Sequence, residues 1–216
     1  VRLGGTARLW ASCGDDAIGD RMQADLAAAG IDISALRRVA GARSGYSTIL
    51  MDKRGERMIV PFYDPAIRTA PDALPDLTAI AAVSVDVRWP AAAEMALRAA
   101  RARDLPAILD LEIAPAEVAE RLLSLATHII ASEAGARAVT GVDAEESVVQ
   151  LGARGAMVAV TCGENGLFWN GGHLPAFPVD SIDTLAAGDV FHGAFALALV
   201  EGQPVAAALR FAAAAA

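Results

Sequence analysis

Short apolar runs alternate along this chain with longer Ala- and Leu-rich stretches of helical character. The short runs read as buried strands and the longer ones as helices covering them. The pattern predicts strands over residues 7–13, 81–85, 106–111, 127–131 and 156–161. It predicts helices over 17–29, 90–104, 114–126, 144–152, 187–200 and 204–216. Strand and helix in alternation point to an α/β fold with a mainly parallel sheet between helical layers. The start signals agree: Asp15 and Asp16 form an N-cap pair before the first helix, and Pro90 after Trp89 suits the first helical position.

Two places break the rhythm. Residues 46–51 and 56–60 are β-type runs joined by Asp52-Lys53-Arg54-Gly55, which predicts a hairpin standing off the main sheet. A second hairpin is expected over 162–170, where Gly163-Glu164-Asn165-Gly166 separates two apolar runs. There is no internal repeat and no linker-like tract, so the 216 residues are expected to form one domain.

Composition narrows the function. With 55% hydrophobic, 20% charged and 5% aromatic residues the chain can bury a core. A net charge of -8 provides no footprint for nucleic acid or an anionic membrane, so a small molecule is the expected partner. Phosphates remain bindable, because helix N-termini hold anions without net positive charge. No apolar run approaches the ~20 residues of a bilayer span. Cys13 and Cys162 lie in apolar strand-like segments far apart, which reads as buried thiols in a reducing, cytoplasmic setting. The chain begins at Val1 and ends in an Ala run at Ala216, so both ends read as truncated.

The chemistry concentrates in Asp183-Thr184-Leu185-Ala186-Ala187-Gly188-Asp189, just before an apolar helical run. Small residues at a helix start allow the N–H groups of Ala186, Ala187 and Gly188 to approach an oxyanion, and the helix dipole adds about 0.3–1 kcal/mol. Asp189 in the first turn could take a proton from an acceptor hydroxyl. By spacing alone the same residues could instead cap and pack a core helix, and both possibilities stand.

This stretch, with the Phe-x-Gly-Ala-Phe of Phe191–Phe195, resembles the C-terminal signature Asp-Thr-x-Gly-Ala-Gly-Asp of the ribokinase-like (PfkB) carbohydrate kinase family. Gly14-Asp15-Asp16-Ala17-Ile18-Gly19 is similar to the family's early Gly-x-Asp-x-x-Gly, and residues 158–166 to its Val-Thr-x-Gly-x-x-Gly strand and turn. The hairpin at 45–61, with Gly55-Glu56-Arg57, resembles the β-lid that covers the sugar and mediates dimers. Asp86-Val87-Arg88-Trp89 and the last helix are also similar to ketohexokinase and sulfofructose kinase relatives.

The resemblance implies a three-layer α/β/α fold with a small β-lid and transfer of the ATP γ-phosphoryl group to a sugar hydroxyl with Mg2+. It makes Asp189 the base, with Ala186, Ala187 and Gly188 as the anion hole. Thr161, Gly163, Gly166, Asp183 and Thr184 fall on the nucleotide side. Asp110, at the end of an apolar strand, and Arg88, after another, are candidates for the sugar or phosphates, since ligands gather at carboxyl ends of parallel strands. A surface salt bridge is the alternative for Arg88. A homodimer through the lid is implied as well.

Two departures stand out. Ala186 replaces the motif's first Gly: a negative φ would accommodate the methyl, whereas a positive φ would strain the loop. Where the family has Asn-x-x-Glu to organise magnesium, this chain has Ser132-Glu133-Ala134-Gly135, leaving Glu133 either as an outer-shell carboxylate or as a solvated helix-start residue. The family's first strand, with a sugar-binding Asp and a Gly-Gly segment, falls before Val1, and part of the adenine pocket falls after Ala216. His128, His173 and His192 show no metal-ligand spacing, and His192, one turn from Asp189, reads as a packing residue. Rival expectations are a nucleoside or other small-molecule kinase of the same family and a non-catalytic sugar or nucleotide sensor. No Gly-x-Gly-x-x-Gly follows a strand, which removes a dinucleotide-binding oxidoreductase.

Overall fold

The computed structural model describes residues 1–51, 57–179 and 184–216, which fall into two units, Val1–Pro75 and Asp76–Ala216. The first unit holds β1 (Ser12–Gly14), α1 (Ala17–Ala28), β2 (Arg37–Val39), β3 (Tyr46–Met51) and β4 (Arg57–Phe62). β1 pairs in parallel with β2. β3 and β4 form a separate antiparallel hairpin running from Tyr46 opposite Phe62 to Met51 opposite Arg57. The predicted hairpin is therefore present and has its own sheet, while its turn residues Asp52 to Glu56 lie outside the described residues. The strand predicted over 7–13 is corrected: the ladder spans only Ser12–Gly14 and belongs to the two-stranded sheet, not to the central one.

Local chemistry accounts for the entry into α1. Asp16 Oδ1 accepts from the Gly19 N–H at 2.8 Å, capping the helix. Asp16 also accepts from the Ser44 hydroxyl at 2.6 Å and the Ser44 N–H at 2.8 Å. These bonds, the Ser44 hydroxyl foremost, hold its carboxyl down at about 2. Ser44 Oγ in turn accepts from the Gly14 N–H at 3.0 Å. A Cβ at Gly14 would overlap the Ala42 carbonyl, and one at Gly19 the Gly14 carbonyl. Each fixed residue of the Gly-x-Asp-x-x-Gly stretch thus has a packing or capping task. Asp15 does not share the cap; it pairs with Arg38 at 2.7 Å.

The second unit contains β5 (Val83–Val85), α2 (Pro90–Arg101), β6 (Ala107–Leu111), α3 (Ala116–Leu123), β7 (His128–Ser132), α4 (Glu133–Thr140), α5 (Ala144–Gly152), β8 (Met157–Thr161), β9 (Leu167–Trp169), β10 (Gly172–Leu174), α6 (Ala187–Val200) and α7 (Val205–Ala215). The sheet order is β10-β9-β8-β7-β6-β5. β5 to β8 are parallel, and β9 and β10 extend the sheet antiparallel. The β8–β9 hairpin falls where the 163–166 turn predicts it.

Period-2 alternation explains why the parallel strands read as continuous apolar runs. Leu109, Leu111, Ile129 and Val158 pack with α2 to α5 on one face. Ile108, Ile130 and Ala159 pack with Phe195 of α6 and Leu209 of α7 on the other. Each fully buried Leu, Ile or Phe contributes about 1.5–3 kcal/mol over leaving it in water. The unit is accordingly α/β/α, as expected. α4 was not anticipated, because it follows β7 with no loop: Ser132 ends the strand and caps the helix through Gly135 N at 3.0 Å. Gly141, at φ 76, stops it after eight residues.

Cys13 and Cys162 are both free thiols, and burial pushes each above its ordinary pKa. Among the described residues no helix is long and apolar enough to cross a membrane.

Candidate active site

The carboxyl ends of β5 to β8 lie on one edge of the sheet, since the four strands are parallel and in register. Asp110 is the last polar position of β6 and has the same parity as Ile108, so it faces the α6 side. Its side chain is 15% exposed and lies 3.5 Å from Nε2 of His192, whose side chain is 14% exposed. Burial pushes the Asp110 carboxyl up to about 6; His192 opposes that rise, Glu112 and Asp86 reinforce it, and Arg88 opposes it. A largely buried carboxyl beside a histidine at a strand end is a group suited to contacting a hydroxyl.

α6 begins at the edge of the same site. Ala186 precedes it with φ 62, in the left-handed region, and caps the helix with no side-chain bond. The condition set by the sequence is therefore met on the unfavourable side: alanine stands where glycine would be free of strain, at a cost of about 1 kcal/mol. The Ala187 N–H is directed at the Thr184 carbonyl at 3.3 Å, and the Val190 N–H at the Ala186 carbonyl at 2.9 Å. Gly188 and Asp189 are the next two residues, and among the described residues their N–H groups have no backbone carbonyl partner. A Cβ at Gly188 would meet no atom within 4 Å, and its φ is not positive. Among the described residues neither packing nor backbone conformation demands glycine there, and the missing Cβ leaves the backbone open to close approach. Asp189 is exposed in the first turn. Asp183 lies outside the described residues; Thr184 is exposed.

The remaining candidates separate. The Arg88 N–H donates to Asp86 Oδ1 at 2.8 Å, and its guanidinium lies 3.6 Å from Asp86 Oδ2, so it starts the loop after β5 beside an acidic neighbour. Thr161 ends β8 and donates to the Ala131 carbonyl at 3.3 Å. Gly163 at φ 56 and Gly166 at φ 78 form the turn that follows, and a Cβ at Gly166 would overlap the Leu174 carbonyl. Turn geometry alone accounts for both glycines.

Glu133 pairs with Arg137 at 3.1 Å one turn along α4. It borders a groove of about 450 Å³ with Cys162, Asn165, Phe168 and His173. Among the described residues no three His, Cys, Asp or Glu side chains converge to cage a metal. Magnesium carried on nucleotide phosphates needs no such cage, since it takes one or two carboxylates and keeps several waters.

Two participants escaped the sequence. Glu112 accepts from the Ser132 hydroxyl at 2.9 Å, locking the end of β6 to the start of α4. His192 contacts Asp110 as well as its own helix, at 2.7 Å from the Gly188 carbonyl. The i, i+4 spacing of Gly188 and His192 was a readable signal for the second contact, but Asp110 is distant in sequence.

Residues 1–216 match the family model described as the pfkB family carbohydrate kinase. Ribokinase of Haemophilus influenzae is 30% identical over 233 residues, covering 100% of this chain and 76% of that protein. The crystal structure of a candidate ribokinase from Agrobacterium tumefaciens matches with a TM-score of 0.93 and 44% identity, over 97% of this chain and 72% of that one. An Arabidopsis thaliana ribokinase complexed with ribose and ATP shares the fold, with a TM-score of 0.82 and 24% identity over 97% of this chain and 74% of that one. With the family model matching residues 1–216 and a solved structure 44% identical sharing the fold, this chain belongs to the pfkB family of carbohydrate kinases.

Proposed function

We propose that the protein transfers the γ-phosphoryl group of ATP to a hydroxyl of a sugar or sugar derivative. The observation that carries this is the start of α6: Asp189 stands in the first turn beside Gly188, whose position no packing constraint reserves for glycine, at the helix end that attracts anions. The anion hole expected at the N–H groups of Ala186, Ala187 and Gly188 moves along the helix start, because the Ala187 N–H is directed at the Thr184 carbonyl: the N–H groups of Gly188 and Asp189, with Ala186 and Ala187 shaping the approach, would bind the oxygens of the transferring group. Asp189 would accept the proton of the attacking hydroxyl. Asp110 and Arg88 would meet the acceptor, and Thr161, Gly163, Gly166, Asp183 and Thr184 would border the nucleotide. Mg2+, bound through the nucleotide phosphates with water reaching Glu133, would neutralise phosphate charge.

The test is ATP consumption by the protein with Mg2+ over a panel of ketoses, aldoses, sulfo-sugars and nucleosides, run beside Asp189→Asn. Turnover on a sugar is expected, with kcat in Asp189→Asn lower by about two to four orders of magnitude and sugar binding retained. Turnover on nucleosides alone would reassign the acceptor. Ligand binding without any turnover would make the protein a sensor.

We further propose a homodimer formed through β3 and β4. Leu50 opposes Met58 on one face of the hairpin and Ile49 opposes Ile59 on the other. All four are exposed, Met58 to 63%. A two-stranded sheet with apolar side chains on both faces is marginal alone in water, and a second copy would cover it.

A further inference from the structure

His192 Nδ1 lies 2.7 Å from the Gly188 carbonyl oxygen. A carbonyl can only accept, so Nδ1 carries a hydrogen. Nε2 then faces two more acceptors, Asp110 Oδ1 at 3.5 Å and the Ile130 carbonyl at 3.5 Å. Nε2 is thus held against two oxygen atoms, the Ile130 carbonyl and the Asp110 carboxyl, at the same distance. The ring thus spans three elements: α6 through Gly188, β6 through Asp110 and β7 through Ile130. Glu112, Asp86 and Arg88 are the other charged groups that act on Asp110.

The Gly188 carbonyl belongs to the same rigid peptide plane as the Asp189 N–H and points the opposite way. A second hydrogen bond to that carbonyl therefore steadies the direction of an amide in the proposed anion hole and strengthens its dipole. The apolar packing of α6 is supplied by Phe191, Ala194, Phe195 and Ala198. His192 directs both ring nitrogens at oxygen atoms, an arrangement that a packing ring would not need.

We propose that His192 is a positioning residue for phosphoryl transfer, tying the Asp110 carboxyl to the Gly188 carbonyl so that the acceptor-side carboxyl and the amides of α6 keep a fixed relation. The role presupposes the kinase activity proposed above.

The experiment combines His192→Phe, His192→Asn, Asp110→Asn and the double variant His192→Phe/Asp110→Asn. Initial rates against sugar and ATP are measured alongside long-range proton–nitrogen NMR of the histidine rings. His192→Phe should lower kcat/KM for the sugar about 10- to 100-fold while the ATP KM stays within about twofold. His192→Asn, which keeps a donor for Gly188 but cannot reach Asp110, should recover kcat and not the sugar KM. The double variant should be no more than about threefold worse than the weaker single, because the pair acts as a unit. In the wild type Nδ1 should be protonated, and Asp110→Asn should move the Nε2 resonance.

Strictly additive losses, rate constants within about twofold of wild type in His192→Phe, or an unprotonated Nδ1 would overturn the proposal. A parallel rise in both KM values with a lowered melting temperature would also overturn it, reducing His192 to structure. If the wild type phosphorylates nothing, the kinase activity itself fails, and the nitrogen resonances still decide whether His192 links Asp110 to Gly188.

Discussion

Gly135 at the start of α4 lies so close to Leu111 at the end of β6 that a Cβ on Gly135 would overlap the Leu111 carbonyl oxygen and come within 3.0 Å of Glu112 Cα. Gly135 occupies the fourth position of the Ser132–Gly135 segment, where the family pattern has a glutamate. The missing carboxylate is therefore not a simple deletion: the backbone of β6 stands where its side chain would begin. Gly135→Ala is expected to destabilise the protein by about 1–3 kcal/mol. Gly135→Glu should destabilise it further without improving magnesium dependence. Urea midpoints with magnesium titrations of ATPase rate would show whether a glutamate can be restored there.

Ala186 holds φ 62 without a side chain that can bond locally. Ala186→Gly removes the Cβ penalty and should stabilise the protein by about 0.5–1 kcal/mol, read as a higher urea midpoint with unchanged slope. A lower midpoint would mean that the loop does not keep this conformation in solution.

Asp110 contributes to pH dependence with the opposite sign to a usual carboxylate. Burial lifts its folded pKa to about 6, above the unfolded value of about 3.9, so the folded state binds more proton in between. Its contribution falls as pH rises from about 4 to 6 and stays lost above that. Asp110→Asn should therefore raise stability at pH 7 by on the order of 1–3 kcal/mol relative to its effect at pH 4, while lowering sugar turnover. Denaturation curves at the two pH values give the comparison; equal effects at both would show that Asp110 titrates normally.

Ile59 opposes Ile49 across the hairpin, both exposed. Ile59→Lys should convert a dimer to monomer in sedimentation velocity, with the thermal melt of the second unit unchanged, because it changes only the exposed face. A monomeric wild type at micromolar concentration would end the dimer proposal.

Local signals picked out several residues of the proposed site without showing how they are joined. Asp189 and Gly188 were legible because a helix start with small residues and an acid is a short-range pattern, and Asp110 because an apolar run ending in an acid marks a strand end. His192 was read as a packing residue, since its partner Asp110 is eighty-two positions earlier and only the adjacency of α6 to β6 brings them together. Glu112 carried no local signal for the same reason: its bond to Ser132 joins the residue after β6 to the end of β7.

By itself, the order of apolar and polar residues determined the alternation of strand and helix, the hairpin with its own sheet and the helix start with small residues and an acid at Gly188 and Asp189, because each depends on neighbours within a few positions. Only the tertiary structure decided that β1 leaves the central sheet, that Gly135 excludes a side chain and that Ala186 takes a positive φ. It also decided that one imidazole spans Gly188 and Asp110. Those outcomes are set by which backbones meet, and strand pairing across dozens of residues, rather than local propensity, determines that.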